Sequence, residues 1–386
     1  MIKLAIFATH PVQYHTALWR SLAATPGLVV HVFYFSDVSV RGAVDPGFGV
    51  PIAWDVPLLK GYPYTFLSRD GDIARPWGIG FSGARDLLWQ GGYDWVLVQG
   101  YTGRFERQVL RAAKSLGIQV LMRGEFADAG RGGGVRAVAR GVYLGWFYRK
   151  VDAFCAIGET ARRHLTERGI ADSRIFFSPY HVDSALFESQ ANSLDRKRCK
   201  AALGVKGGRL ALLFSGKLIP RKAPLLLLDA IRRMPGHANV ELIVLGDGPL
   251  RERVRAEGKA LLGERLHAPG FVNQSRLGPY FAAADALVMT SNYETWGLVV
   301  NEAMYFSLPS VVSDRVGCQP DLVRPCETGF VFRSGDASDL AQVLQALMDD
   351  RKGAVAMGQR AHELVQRYST EAARDGIVKA IGLVAS

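Results

Sequence analysis

The chain lacks an apolar run of the roughly 20 residues that a helix needs to cross a bilayer, which argues against an integral membrane protein. It also lacks a secretory leader pattern. Lys3 comes early, but the apolar run Leu4 to Phe7 breaks at Thr9-His10-Pro11 with no cleavage-type sequence after it. Cysteine is scarce: Cys155, Cys199, Cys318 and Cys326 form no CxxC pair and have no histidine at zinc-like spacing. Free thiols in a reducing cytoplasm are the expectation; Cys318 and Cys326 lie close enough along the chain to pair, but nothing in the sequence supports it. Two phosphate-binding fingerprints are missing too. No GxGxxG follows the first strand and no GxxxxGK[ST] occurs anywhere. There is no internal repeat and no low-complexity segment.

What is present is a globular composition, 48% hydrophobic over 386 residues, a length at which two domains are the default. The formal charge is +11 and is spread about evenly over both halves. An even basic excess suits anionic ligands, an anionic membrane or nucleic acid. No nucleic-acid motif accompanies it, so no nucleic-acid partner is expected.

Strand-like and helix-like stretches alternate along the chain, which predicts α/β architecture with parallel sheets. Residues 2–8 read as a buried strand, 9–15 as a polar loop at its carboxyl end, and 29–35 as a second strand. Residues 37–82 read as irregular and rich in Gly, Pro and aromatics (Asp45 to Gly49, Trp54, Tyr62-Pro63-Tyr64, Trp77). That is long for a connection and fits either a functional insertion or a packing layer. Between Arg131 and Lys150 there are five basic residues and no acidic ones, on a helical pattern with Trp146, Phe147 and Tyr148. Such a helix suits either an anionic membrane surface or packing on a sheet, the second being favoured because every α/β domain needs packed helices. The stretch 188–194 reads as a polar link, which sets a domain boundary near 190. Tyr368-Ser369 reads as a cap restarting the last helix.

The segment Ser291 to Met304 carries two carboxylates, Glu294 and Glu302, eight residues apart. An apolar strand precedes it, and a helix is expected to open near Trp296 or Gly297, with Glu302 about a turn and a half inside. A helix start after a strand offers unpaired N–H groups and partial positive charge to a phosphate, and Glu294 at its mouth suits hydroxyls. Read alone, the pair equally allows a glycosidase acid and nucleophile, or a capping role for Glu302. The basic loop Ser215 to Lys222 follows another strand. Its Lys217 and Lys222 suit a diphosphate, especially one that leaves with growing charge.

The ordered series Ser215-Gly216-Lys217…Lys222, Gly246-Asp247-Gly248-Pro249-Leu250, Gly270-Phe271-Val272, Glu294…Glu302-Ala303-Met304 and Pro309 to Asp314 resembles the retaining family-4 (group 1) glycosyltransferases of the GT-B fold. Pro179 to Asp183 with Phe187 resembles the inter-domain segment of that family. The resemblance is ordered over 175–345 and weaker before it. It implies two Rossmann-like domains with a cleft between them. The first, residues 1–190 with a crossover helix at 368–386, would meet the acceptor; the second, 191–367, would bind the nucleotide-sugar.

Carried over by position, Lys217 and Lys222 would hold the diphosphate, with Gly216, Arg221, Gly246 and Asp247 in the flanking donor-binding loops. Glu294 would contact the donor sugar, Thr295, Trp296, Gly297 and Leu298 would lie near the phosphate, and Glu302 would bind ribose. No cofactor and no metal is expected beyond the nucleotide-sugar substrate, with UDP the expected nucleotide. Asp349-Asp350, the adjacent acidic pair, reads as part of a surface helix.

The sequence departs from the family at four places. Lys217 stands where many members have Arg. Tyr180-His181 replaces Asn-Gly. Thr9 to Gln13 lacks a glycine pair, so His10 and Gln13 are candidates for acceptor or donor phosphate. A histidine usual after a first-domain strand is replaced by Arg123-Gly124-Glu125-Phe126, which makes Glu125 the catalytic candidate there. The implied reaction is retaining hexosyl transfer to a saccharide or lipid-linked acceptor, as in polysaccharide or glycolipid biosynthesis. The expected location is the cytoplasm, with peripheral contact to the inner membrane surface left open. A nucleotide-sugar 2-epimerase of the same fold, and a non-enzymatic basic protein binding nucleic acid or membrane, remain the alternatives.

Overall fold

The computed structural model describes residues 1–42, 54–68, 80–101, 103–126 and 134–383. Asp45 to Gly49, Trp77 and Arg131, all singled out in the sequence, lie outside these. The chain divides into two compact units. One comprises Met1–Ala43, Pro57–Asp183 and Ser369–Ser386; the other comprises Val44–Val56 and Ser184–Tyr368.

The first unit is built on seven strands: β1 (Ile2–Ala8), β2 (Leu28–Tyr34), β3 (Tyr64–Phe66), β4 (Trp95–Val98), β5 (Gln119–Gly124), β6 (Ala153–Ala156) and β7 (Ile175–Phe177). Their order is β3-β2-β1-β4-β5-β6-β7 and every pairing is parallel. Helices cover both faces, so the central strands are apolar throughout rather than alternating. Leu4, Ala5, Ile6, Val96, Leu97 and Val98 are fully buried. β3 corrects the expectation of an irregular 37–82. Tyr64 to Phe66 register with Val32 to Tyr34 and close the sheet edge. The strand is too short and too proline-flanked to show alternation.

The second unit holds β8 (Leu210–Ser215), β9 (Val240–Leu245), β10 (Leu266–Gly270), β11 (Ala286–Met289), β12 (Ser310–Ser313) and β13 (Gly329–Phe332), in the parallel order β10-β9-β8-β11-β12-β13. Glu241 is a buried carboxylate near the start of β9. Arg209 at 3.0 Å, His267 at 2.7 Å and the Lys206 amide satisfy it, and together they outweigh its burial and hold its pKa down.

Two boundaries differ from the sequence expectation, and the cap expected at Ser369 is present. Residues 188–194 are not a link, because helix Ser184–Ser193 runs through them and packs into the second unit. There Phe187 stacks on Tyr305 and Gln190 donates to the Gln274 carbonyl. Asp349 and Asp350 do not share one surface helix. Asp350 caps a new helix, Arg351–Val365, by accepting from the Gly353 amide. The final helix, Thr370–Ala380, is capped by Ser369, which accepts from Ala372. It packs on the first sheet so closely that a Cβ on Gly376 would lie 1.9 Å from the Phe177 carbonyl oxygen. All four cysteines are free, and Cys318 and Cys326 are not paired.

Candidate active site

In the second unit, the loops leaving β8, β9, β10 and β11 meet at the carboxyl end of the sheet, where ligands bind in open α/β sheets. Backbone bonds fasten them. Gly216 donates to Leu245 at 2.9 Å, Gly246 to Gly270 at 2.8 Å, Leu218 to Asp247 at 2.8 Å and Leu250 to Leu218 at 2.9 Å. Gly246 is required at this crossing. Its φ is 144°, and a Cβ would sit 1.9 Å from the Gly216 carbonyl oxygen. The Asp247 carboxylate is committed to its own turn. It accepts from the Gly248 amide at 2.8 Å and from Arg251 at 2.7 Å, so its part in the loop is to hold the glycines in place.

The Lys222 ammonium donates to the Glu294 carboxylate, and Arg221 approaches the same carboxylate at 3.4 Å while donating to the Tyr293 carbonyl at 3.0 Å. The expectation of two lysines converging is thereby refined, since Lys222 is held by Glu294. Burial is the main influence lowering the Lys222 pKa. Glu294 opposes that shift, and the nearby Arg221 and Lys217 charges add to it. Thr290 locks the loop by donating to the carbonyls of Lys222 and Ala223 at 2.9 Å each.

Glu294 is itself clamped by the chain after β12. Its amide donates to Arg315 at 3.0 Å and its carbonyl accepts from Gly317 at 2.9 Å. Gly317 lies so close that a Cβ would be 2.0 Å from the Thr295 carbonyl oxygen. The following helix opens at Val299, two residues later than the sequence suggested, so Glu302 is one turn inside it. The delay has a structural cause. Gly297, at φ 103°, turns the chain first, and the Trp296 indole donates to Asn301 at 2.9 Å across the start. Among the described residues, the amides of Gly297 and Leu298 have no acceptor, and the Glu302 carboxylate has no hydrogen-bond or ionic partner. Burial pushes its pKa up to about 8.

The first unit carries a polar cavity of about 260 Å³ lined by His15, Gln99, Gly100, Tyr101, Arg123, Gly124, Glu125 and Tyr180. Glu125, predicted from sequence, is there. Exposed at the rim, it is hydrogen-bonded to Tyr180. His10 and Gln13 are not among the lining residues. His10 pairs with the Thr9 hydroxyl at 2.9 Å, and Gln13 opens helix Gln13–Ala23, which brings His15 to the cavity instead. Sequence reasoning missed His15, Gln99, Tyr101 and Tyr180 as lining residues. The available signal was that Gln99-Gly100-Tyr101 directly follows β4, at the strand end where ligands bind.

Arg123 is buried, with Nε donating to the Ser178 hydroxyl at 2.9 Å, Nη2 to the Pro179 carbonyl at 2.7 Å, and the guanidinium 5.4 Å from the Tyr180 ring centroid. Burial and then the Arg123 charge drive His15 well below the usual imidazole range and His181 down to about 3. Both imidazoles are therefore neutral at pH 7, and Arg123 carries the local positive charge. The Gln99 amide nitrogen is buried without a partner among the described residues. Among those residues no group of three or more His, Cys, Asp or Glu is placed to hold a metal.

Residues 195–364 match the family model described as glycosyl transferases group 1. The sulfoquinovosyl transferase of Arabidopsis thaliana is 33% identical over 161 residues, 41% of this chain and 30% of that protein. A lipopolysaccharide core biosynthesis glycosyltransferase of Rhizobium meliloti is 30% identical over 182 residues, 47% of this chain and 52% of its own. The chain thus spans about a third to a half of the length of these relatives. The Anabaena protein HepE, crystallised in complex with UDP, superposes over all of both chains at a TM-score of 0.73 and 17% identity, a likeness of fold. With two Rossmann-like parallel sheets whose strands alternate with helices, the chain has the GT-B fold and resembles the group 1 glycosyltransferases.

Proposed function

We propose that the protein is a retaining glycosyltransferase that moves a hexosyl unit from a nucleotide-diphosphate sugar, with UDP as the nucleotide, to a hydroxyl of a saccharide or lipid-linked acceptor. The observation that carries this reading is the grouping at one sheet end of Lys222 paired to Glu294, the open amides of Gly297 and Leu298, and the unpartnered Glu302 carboxylate. The relatives named as glycosyltransferases and the UDP complex of the fold neighbour support it.

In this reading the diphosphate lies against Lys217, Lys222 and the Gly297 and Leu298 amides. Arg221 adds charge at the rim. Glu302 meets the ribose hydroxyls and Glu294 those of the donor sugar. The bond from the anomeric carbon to the diphosphate oxygen breaks as the bond to the acceptor oxygen forms on the same face, and the departing phosphate takes the acceptor proton. Growing negative charge on the leaving group is met by these fixed cations and dipoles, so neither an enzyme nucleophile nor a resident metal is assigned. The cavity of the first unit, with Gln99, Arg123, Glu125 and neutral His15, is assigned to the acceptor. A donor of this class presupposes a compartment that holds nucleotide sugars, which makes a cytoplasmic location part of the proposal.

The test is incubation with a panel of nucleotide sugars, with nucleotide diphosphate release as readout and calorimetry for binding. UDP-sugars should bind and release UDP, and chelation of divalent cations should leave the rate unchanged. Neither release nor binding across the panel would sink the donor assignment.

A further inference from the structure

Helix Val135–Tyr148 of the first unit has two apolar faces where a packed domain helix needs one. Leu144, Phe147 and Tyr148 are buried and fill the packing role. Val138, Val142 and Trp146, spaced four apart and so on one stripe, are 68%, 72% and 38% exposed. The sequence expectation that this helix only packs on its sheet therefore accounts for one face and leaves the other without a structural role.

Cations border the exposed stripe. In the neighbouring helix Arg104–Ser115, Arg104 and Arg111 are exposed. With Arg107, Gln108, Tyr143 and Trp146 they line a concavity of about 460 Å³. Trp146 lies between two charges, with the Arg111 guanidinium 5.8 Å and the Lys150 ammonium 5.0 Å from its ring. Among the described residues none of Arg104, Arg111, Arg149 and Lys150 forms an ion pair. Solvated surface arginines need no partner, but four such cations beside an exposed tryptophan and two exposed valines make an amphipathic face of one sign. That is the composition that lies in a lipid interface, with the apolar stripe among acyl chains, the indole at headgroup depth and the cations on phosphates.

We propose that the face formed by helices Arg104–Ser115 and Val135–Tyr148 docks on an anionic phospholipid bilayer, with lipid phosphates in the Arg104–Arg111 concavity and Val138, Val142 and Trp146 inserted. The basic face and an anionic headgroup layer are complementary in charge, whatever the reaction at the second unit. No helix among the described residues is long and apolar enough to cross the membrane, so the contact is peripheral.

The test is flotation of the purified full chain with phosphatidylcholine vesicles, with and without phosphatidylglycerol. Binding is expected only with the anionic lipid and should weaken with salt. The double variant Arg104→Gln/Arg111→Gln should weaken it by roughly 25-fold, at about fivefold per basic residue. Val138→Asp/Val142→Asp should abolish it. Both pairs are exposed, so melting temperature and UDP binding should stay as in the parent. Trp146→Phe should remove the blue shift in fluorescence that anionic vesicles induce in the parent. Absence of binding to anionic vesicles would overturn the proposal. So would binding that both double variants leave intact. A parent that sediments as a dimer dissolved by Val138→Asp/Val142→Asp would assign the face to a second copy instead. RNA binding lost with the arginines, without vesicle binding, would assign it to nucleic acid.

Discussion

The Lys222 ammonium and the Glu294 carboxylate are hydrogen-bonded although 72 residues separate them in the chain. Each is mostly withdrawn from solvent, with 15% and 12% of its side chain exposed, so each meets the other's charge where water would otherwise be. Lys222→Ala leaves Glu294 without its main partner and a diphosphate without its nearest buried cation. Turnover should fall by about 100-fold or more, read as UDP release. Glu294→Gln should also impair turnover, and the double variant should lose much less than the sum of the two losses, because each change already breaks the pair. Near-normal rates in both single variants would remove the site from this loop.

The second prediction concerns backbone approach. At Gly317 an added Cβ would meet the Thr295 carbonyl oxygen at 2.0 Å, a clash with main chain that no rotamer relieves. Gly317→Ala should destabilise the second unit by about 1–3 kcal/mol in chemical denaturation. Because Gly317 also holds the Glu294 carbonyl, donor binding should weaken at temperatures where the variant is still folded. Gly335→Ala is a useful control for space alone. At φ 81° it is strained, but a Cβ there meets nothing within 4 Å, and it lies outside the donor loops. It should lose stability without a matching loss in nucleotide affinity.

Much of the second unit was legible in the chain because the residues of its candidate site are local. Each lies just after a short apolar strand, and Gly216, Gly246 and Gly297 mark where the backbone turns sharply. The Lys222–Glu294 pair was not legible, since register between β8 and β11 brings those loops together and nothing local encodes it. The first unit was read less well for a related reason. Its cavity draws His15, Gln99, Arg123 and Tyr180 from four separate segments, and none carries a pattern by itself. β3 was invisible at three residues. The boundary near 190 misled because Ser184–Ser193 is a helix of polar composition whose one deeply buried large side chain is Phe187.

The Gln99 amide nitrogen, buried and unpartnered, is the feature of the first unit most in want of a ligand. Gln99→Ala should raise the acceptor KM while UDP affinity, which the proposed function places in the second unit, stays unchanged. Gln99→Glu places a carboxylate in a cavity that already holds Glu125, and should impair acceptor use further. Parent-like acceptor kinetics in both would free this cavity from the acceptor role.

The last prediction follows from Glu302. Burial alone raises its pKa from 4.5 to about 8, so at neutral pH the folded protein holds a proton there that the unfolded chain has released. Stability then falls as pH rises from about 4.5 to about 8, since the native state binds more protons across that window, and it levels off above it. Glu302→Gln mimics the protonated form and should flatten this part of the profile. Its melting temperature should match the parent at pH 5 and exceed it at pH 9. The carboxylate also has a binding consequence. A nucleotide ribose supplies hydroxyl donors to the ionised form, so UDP binding should lower the pKa and release protons near pH 7, seen as a buffer-dependent enthalpy in calorimetry. Glu302→Gln should lose both that dependence and part of the affinity. A parent whose melting profile is unchanged by the substitution across pH 5–9 would show that the carboxyl is not shifted, and the ribose assignment would lose its physical basis.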